Sequence, residues 1–164
     1  MYTVDESISL VSLDGVPAHS AGAPTPVLLA DDDGLVLAYE TAPANDELVI
    51  LKFLRPYAHS FGPPNDEAVT GHPLAKYGLA PYGIFEVLQS PWSGALEKLN
   101  RAHPNHNAQK FASLRHFIFT FHDGLFECLA TDVRVIARFP SGAHDREALG
   151  VLLMKELGRP TSLA

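Results

Sequence analysis

Two arrangements in this chain combine residue types and spacing that could do chemistry. The first lies in residues 116–130, where Asp123-Gly124 separates His116-Phe117-Ile118-Phe119-Thr120-Phe121-His122 from Leu125-Phe126-Glu127-Cys128-Leu129-Ala130. Asp-Gly between two apolar runs predicts a two-residue hairpin turn, because glycine accepts the positive φ such turns demand. In that register His122 faces Leu125, Phe121 faces Phe126, Thr120 faces Glu127 and Phe119 faces Cys128. His122 then becomes the diagonal neighbour of Glu127, within reach of a long side chain. A carboxylate beside an imidazole makes a proton-transfer pair, so His122, Glu127 and Thr120 are the candidate catalytic residues. His116 sits six residues from His122, roughly 20 Å along a strand, too far to share a metal ion with it.

The second arrangement is His103-Pro104-Asn105-His106. Pro104 rules out a continuous helix here, but a loop can aim both imidazoles at one divalent metal, and His103 and His106 are the candidate ligands. A complete site needs a third donor, such as His72, His122, Asp123 or Glu127. Cys128 falls opposite Phe119 on an apolar face and reads as a small buried hydrophobe rather than a nucleophile. There is no Gly-x-Ser-x-Gly elbow and no glycine-rich phosphate loop, which argues against serine-elbow hydrolase, dinucleotide and nucleoside-triphosphate chemistry. Asp31-Asp32-Asp33-Gly34 lacks the ligand spacing and downstream glutamate of a calcium loop and reads as a turn.

These residues need elements to hold them. Alternating or continuous apolar runs predict strands at 8–13, 27–30, 35–39, 48–54 and 83–89, in addition to the two arms of the hairpin. One face of that hairpin carries Phe117, Phe119, Phe121, Phe126, Cys128 and Ala130, a core face. The other carries His116, Ile118, Thr120, His122, Leu125, Glu127, Leu129 and Thr131, mixed enough to expect partial cover by a helix or a loop. Ser90-Pro91 opens a helix over 91–102, serine capping and proline taking the first helical position, with Trp92, Ala95, Leu96 and Leu99 as its apolar stripe and Glu97 and Lys98 turned outward. Asn107 caps a short turn through Phe111. Asp145 begins a helix to Leu157 whose buried face is Leu149, Leu152, Leu153 and Leu157, ended by Gly158 and Pro160. Between Arg55 and Tyr82, five prolines and three glycines interrupt any regular element. A loop of that length in a compact domain is commonly functional, and this one carries His59, Asp66, Glu67, His72 and Tyr77.

The expectation is a single α+β domain over 1–164, with an antiparallel, strongly curled sheet of six to eight strands and two main helices packed on it. Composition bounds the function classes. With 46% hydrophobic and 19% charged residues, the chain is of globular type. Its net charge of −7 and 12 scattered basic residues argue against nucleic-acid binding. One cysteine fits a reducing compartment. The absence of a secretory pattern and of any long apolar window gives a cytoplasmic, non-membrane expectation.

Gly71-His72-Pro73-Leu74, Phe85-Glu86-Val87 with Ser90 and Trp92, His103-Pro104-Asn105-His106, and Phe119-Thr120-Phe121-His122-Asp123 with Phe126-Glu127-Cys128 resemble segments of a family of uncharacterised bacterial proteins. The resemblance covers about the second half of the chain and implies a bacterial source, with no activity or site residues to carry over. The resulting expectation is a non-catalytic binding or accessory protein that recognises a protein partner or a small ligand through the long loop and the mixed hairpin face. The alternative is a hydrolase-like enzyme using His122 and Glu127, with or without a metal on His103 and His106.

Overall fold

The computed structural model describes Val4 and residues 7–22, 26–32 and 34–158. Asp33 of the acidic turn, Pro160 and most of the first six residues lie outside them. Among the described residues nine strands form in chain order: β1 (Ser9–Ser12), β2 (Val27–Ala30), β3 (Leu35–Glu40), β4 (Glu47–Leu54), β5 (Ala58–Gly62), β6 (Ile84–Leu88), β7 (Arg115–Thr120), β8 (Leu125–Ala130) and β9 (Asp132–Pro140). Helices α1 (Pro91–Asn100), α2 (Ala108–Ala112) and α3 (Arg146–Leu157) complete the α+β fold, with two short 3-10 turns, Val69–Gly71 and Ala75–Tyr77, in the segment before β6.

The strands do not make one curled sheet. They make two antiparallel sheets, one ordered β1-β6-β7-β8-β5 and the other β2-β3-β4-β9. The reason is the residue pattern. Leu35, Leu37 and Tyr39 of β3, with Val49, Leu51 and Phe53 of β4, form one core with Phe117, Phe119, Phe121, Phe126, Cys128 and Ala130. Two apolar faces of period two thus bury each other. Phe53 stands 5.2 Å from Phe126 and 5.9 Å from Phe117, ring centre to ring centre, at tilted angles. Such contacts add about 0.5–1.5 kcal/mol each beyond area burial. Burial raises the Cys128 thiol pKa far above its ordinary value, as expected of a core residue.

Each sheet also has an outer face. Val36, Ala38, Leu48 and Ile50 receive Leu149 and Leu153 of α3. Lys52 on β4 donates from Nζ to the Glu156 carbonyl at 3.0 Å, near the helix's negative end. The Asp145 carboxylate caps α3 by accepting from the Ala148 N–H at 2.8 Å. Across the molecule, Ile118 and Leu125 of the five-stranded sheet are covered by Val69, Leu74 and Leu79. The mixed hairpin face is therefore covered by the long loop, as its leucines and isoleucine imply.

The loop is less irregular than its prolines suggest. Ala58–Gly62 pairs with β8 as an edge strand. Strand β9 begins after Thr131, so chain continuity hides it in the sequence. An extra residue near Ile136 shifts its register against β4. Val133 and Val135 then face the inter-sheet core, while Ile136, Ala137 and Phe139 face α3. A bulge of this kind breaks the alternation that would have marked the strand.

Candidate functional site

The hairpin register differs from the Asp-Gly expectation. Thr120 pairs Leu125, Phe119 pairs Phe126, Ile118 pairs Glu127 and Phe117 pairs Cys128. The Phe121 N–H donates to the Gly124 carbonyl at 2.8 Å, so His122 and Asp123 form the turn. Gly124 lies outside the turn, and a Cβ there would stand 3.2 Å from the Gly62 carbonyl of β5. A side chain there would press on the β5 backbone, so the glycine's small size serves a close backbone approach rather than a positive φ. The turn moves by one position and the register by two, so each side chain keeps its face. Thr120 and Glu127 are no longer opposite, and His122 leaves the ladder.

Glu127 lies instead between two other histidines. Its Oε2 is 2.9 Å from His116 Nε2 and its Oε1 is 3.1 Å from His72 Nε2. Glu127 is 6% exposed, His72 7% and His116 0%. The Leu74 N–H donates to His72 Nδ1 at 3.2 Å, which places the ring hydrogen on Nε2, pointing at the carboxylate. His116 Nδ1 lies 2.9 Å from Ser90 Oγ. That hydroxyl oxygen also accepts from the Ser93 N–H at 3.2 Å, so Ser90 caps α1 as its position predicts. Trp92, the second residue of the helix, stands 5.3 Å from His116 in an edge arrangement. The result is a continuous chain, Ser90–His116–Glu127–His72, linking the start of α1, two sheet strands and the loop.

A cavity of about 380 Å³ lies over this chain. Its floor is His72, Leu125 and Glu127, all buried; Trp92 and Pro64 stand at its sides, and Ser60, Pro63 and Ala95 form an exposed rim. It joins the long loop to the mixed hairpin face.

His122 takes part in a second, exposed cluster. Its Nδ1 is 3.0 Å from Asp66 Oδ2 and 3.0 Å from the Tyr82 hydroxyl, and that hydroxyl donates to Asp66. The Asp66 carboxyl is held below its ordinary pKa, first by the Tyr82 hydrogen bond and then by His122. The His122 imidazole is raised, chiefly through its hydrogen bond to Asp66. Tyr82 sits at φ +59°, a left-handed conformation uncommon outside glycine. Thr120 Oγ1 donates to the Ala80 carbonyl at 2.7 Å and accepts from the Gly83 N–H at 2.8 Å, fixing the turn that carries Tyr82.

His103 and His106 have separate partners. His103 Nδ1 accepts from the Asn105 N–H at 3.0 Å. His106 Nε2 lies 3.0 Å from Glu97 Oε1, and its Nδ1 lies 3.1 Å from Asn100 Oδ1. Glu97, expected to point outward, is drawn in by His106 and Arg101. Leu99, expected in the buried stripe, is 74% exposed. Among the described residues, no group of three or more His, Cys, Asp or Glu side chains is arranged to hold a metal ion.

Sequence reasoning found Glu127 and missed its partners. His116 shares its strand face, and the signal was there in the two-residue alternation. His72 could not be placed, because its contact spans 55 residues through a loop. No family model matches the chain, and no curated protein or solved structure shows significant similarity to it. The bacterial family suggested by the sequence segments gains no support from these comparisons. No helix among the described residues is long and apolar enough to cross a membrane.

Proposed function

We propose that this protein binds a small organic ligand in the cavity above Glu127, and that it works by recognition rather than turnover. The observation that carries this reading is a buried carboxylate, steadied by two imidazoles, on the floor of an open cavity of about 380 Å³. That volume falls within the range of small-molecule sites, where a few fixed polar groups orient a ligand against apolar walls. A concave site favours a small molecule over the broad apolar patch that a protein partner would need.

The chain supplies its own reporter. Trp92 is the only tryptophan, it lines the cavity, and a ligand there must alter its surroundings. Titration of the protein with a library of small organic molecules should give saturable changes in Trp92 emission. Ligand-observed NMR should identify the same binders. Silence in both measurements across the library would end the proposal.

A hydrolase remains the second reading, but with different residues. Ser90 Oγ, His116 and Glu127 are hydrogen-bonded in the order nucleophile, base and acid. Ser90 lines a separate cavity of about 500 Å³. His122 and Glu127, the pair expected to cooperate, belong to different clusters. Labelling by a fluorophosphonate that disappears in Ser90→Ala would favour the enzyme. An unlabelled folded protein would favour a capping role for Ser90.

A further inference from the structure

We infer that the ligand of this cavity is a small organic cation, an ammonium group on a short apolar body. The inference rests on the ligand-binding reading above and narrows it to one chemical class.

Charge comes first. Among the described residues that line the cavity, Glu127 is the one carboxylate, and there is no lysine or arginine. His72 faces that carboxylate with its Nε2 hydrogen, while its Nδ1 is committed to the Leu74 N–H. An imidazole nitrogen that receives a backbone N–H carries no hydrogen of its own, so His72 turns its one N–H to the carboxylate, while His116, buried behind it, holds the other oxygen at 2.9 Å. An anion entering the cavity would meet the negative floor in a site partly shielded from water, where like charges repel more strongly than in bulk. A neutral ligand would gain at most a hydrogen bond from it, without the attraction between opposite charges.

The walls agree with the floor. Trp92 offers an indole, the aromatic side chain that attracts ammonium groups best. Pro63, Pro64 and Leu125 offer carbon surface to methyl or methylene groups. At long range the net charge of −7 raises the local concentration of small cations.

The test uses the intact chain and four probes: n-butylammonium, tetramethylammonium, n-butanol and butyrate. Three are four-carbon chains that end in an ammonium, a hydroxyl or a carboxylate, so they match closely in apolar body and differ at the head group. Trp92 emission and saturation-transfer NMR should show both ammonium ions binding, n-butylammonium about tenfold more tightly than n-butanol and butyrate not at all. Trp92→Phe, read by NMR alone, should keep the fold and weaken both ammonium ions severalfold. Glu127→Gln, if folded by circular dichroism, should erase the preference for n-butylammonium over n-butanol. Equal or tighter binding of butyrate or n-butanol would overturn the cation assignment and leave the ligand-binding reading intact. Failure of all four probes while other library members bind would do the same. Failure of every compound would remove both.

Discussion

Among the described residues, two acid–imidazole clusters fasten the long loop to the β7–β8 hairpin. In one, Glu127 of β8 meets His72 and His116 in the interior. In the other, Asp66 meets His122 and Tyr82 at the surface. The chemistry is nearly the same, and the surroundings decide what it is worth. In water, an ion pair gains little, since solvent already satisfies both partners. Inside, each polar group must be satisfied by protein, and an incomplete set is expensive. The buried cluster should therefore govern stability, and the exposed one should chiefly govern the titration of its own members.

Replacing the buried acid gives the sharpest test. Glu127→Gln turns one acceptor oxygen into an amide donor facing an imidazole, breaking a buried network. The loss in unfolding free energy should be about 3 kcal/mol, measured by urea denaturation. The same variant should let a thiol reagent reach Cys128 faster, because labelling waits on opening of the core. A loss no larger than that of a surface mutation would erase the contrast between the clusters.

Thr120→Val should have a middling effect. It removes the hydroxyl that holds the Ala80–Gly83 turn while leaving Glu127 and both of its histidines in place. The expected cost is about 1–2 kcal/mol, with His122 titrating closer to the ordinary value as Tyr82 loosens. Urea denaturation and an NMR titration of the imidazole would read both effects.

The smallest change in stability belongs to Asp66→Asn, where denaturation should detect no difference at neutral pH. His122 should still respond. Its raised pKa means that it keeps its proton to higher pH in the folded protein, so NMR should show the midpoint falling in the variant. The signs set the window. The lowered Asp66 pKa gives a contribution present above its unfolded value and lost as pH falls through the folded one. The raised His122 pKa gives a contribution present below its unfolded value and lost as pH rises through the folded one. Together the pair is fully formed from about pH 4 to about pH 6.5. A His122 midpoint that stays put in Asp66→Asn would show that the carboxylate is not its partner.

The sequence exposed one cluster's acid and the other's base, and linked them wrongly. Alternation marked the two faces of the hairpin, and those faces survive in the structure because a shift of two residues preserves them. The register did not survive. Gly124 looked like a turn residue, whereas its small size serves the approach of β5, a strand whose polar residues take shape only by pairing with β8. Ser90 and Asp145 were readable as caps because capping is local. Leu99 and Glu97 exchanged their expected environments, since period alone cannot say which part of a stripe finds a neighbour. His72, Asp66 and Tyr82 reach their partners across a folded loop, which no local pattern records.

The corner where the sheets exchange strands has a consequence for how the chain folds. At Leu54 the chain leaves one sheet for the other, and at Thr131 it returns. Thr131 donates from both its backbone N–H and its hydroxyl to the Leu54 carbonyl, and the Tyr57 N–H donates to Leu129, so the two crossings lie side by side. Leu54 and Thr131 are 77 residues apart. The polypeptide must close that long circuit before either sheet has its final edge partner, which favours slow folding, in the millisecond-to-second range typical of non-local β topologies. Once the circuit is closed, neither sheet can melt without pulling strands from the other. Amide hydrogens of β4 and β8 should therefore exchange with a common opening free energy, as one cooperative unit.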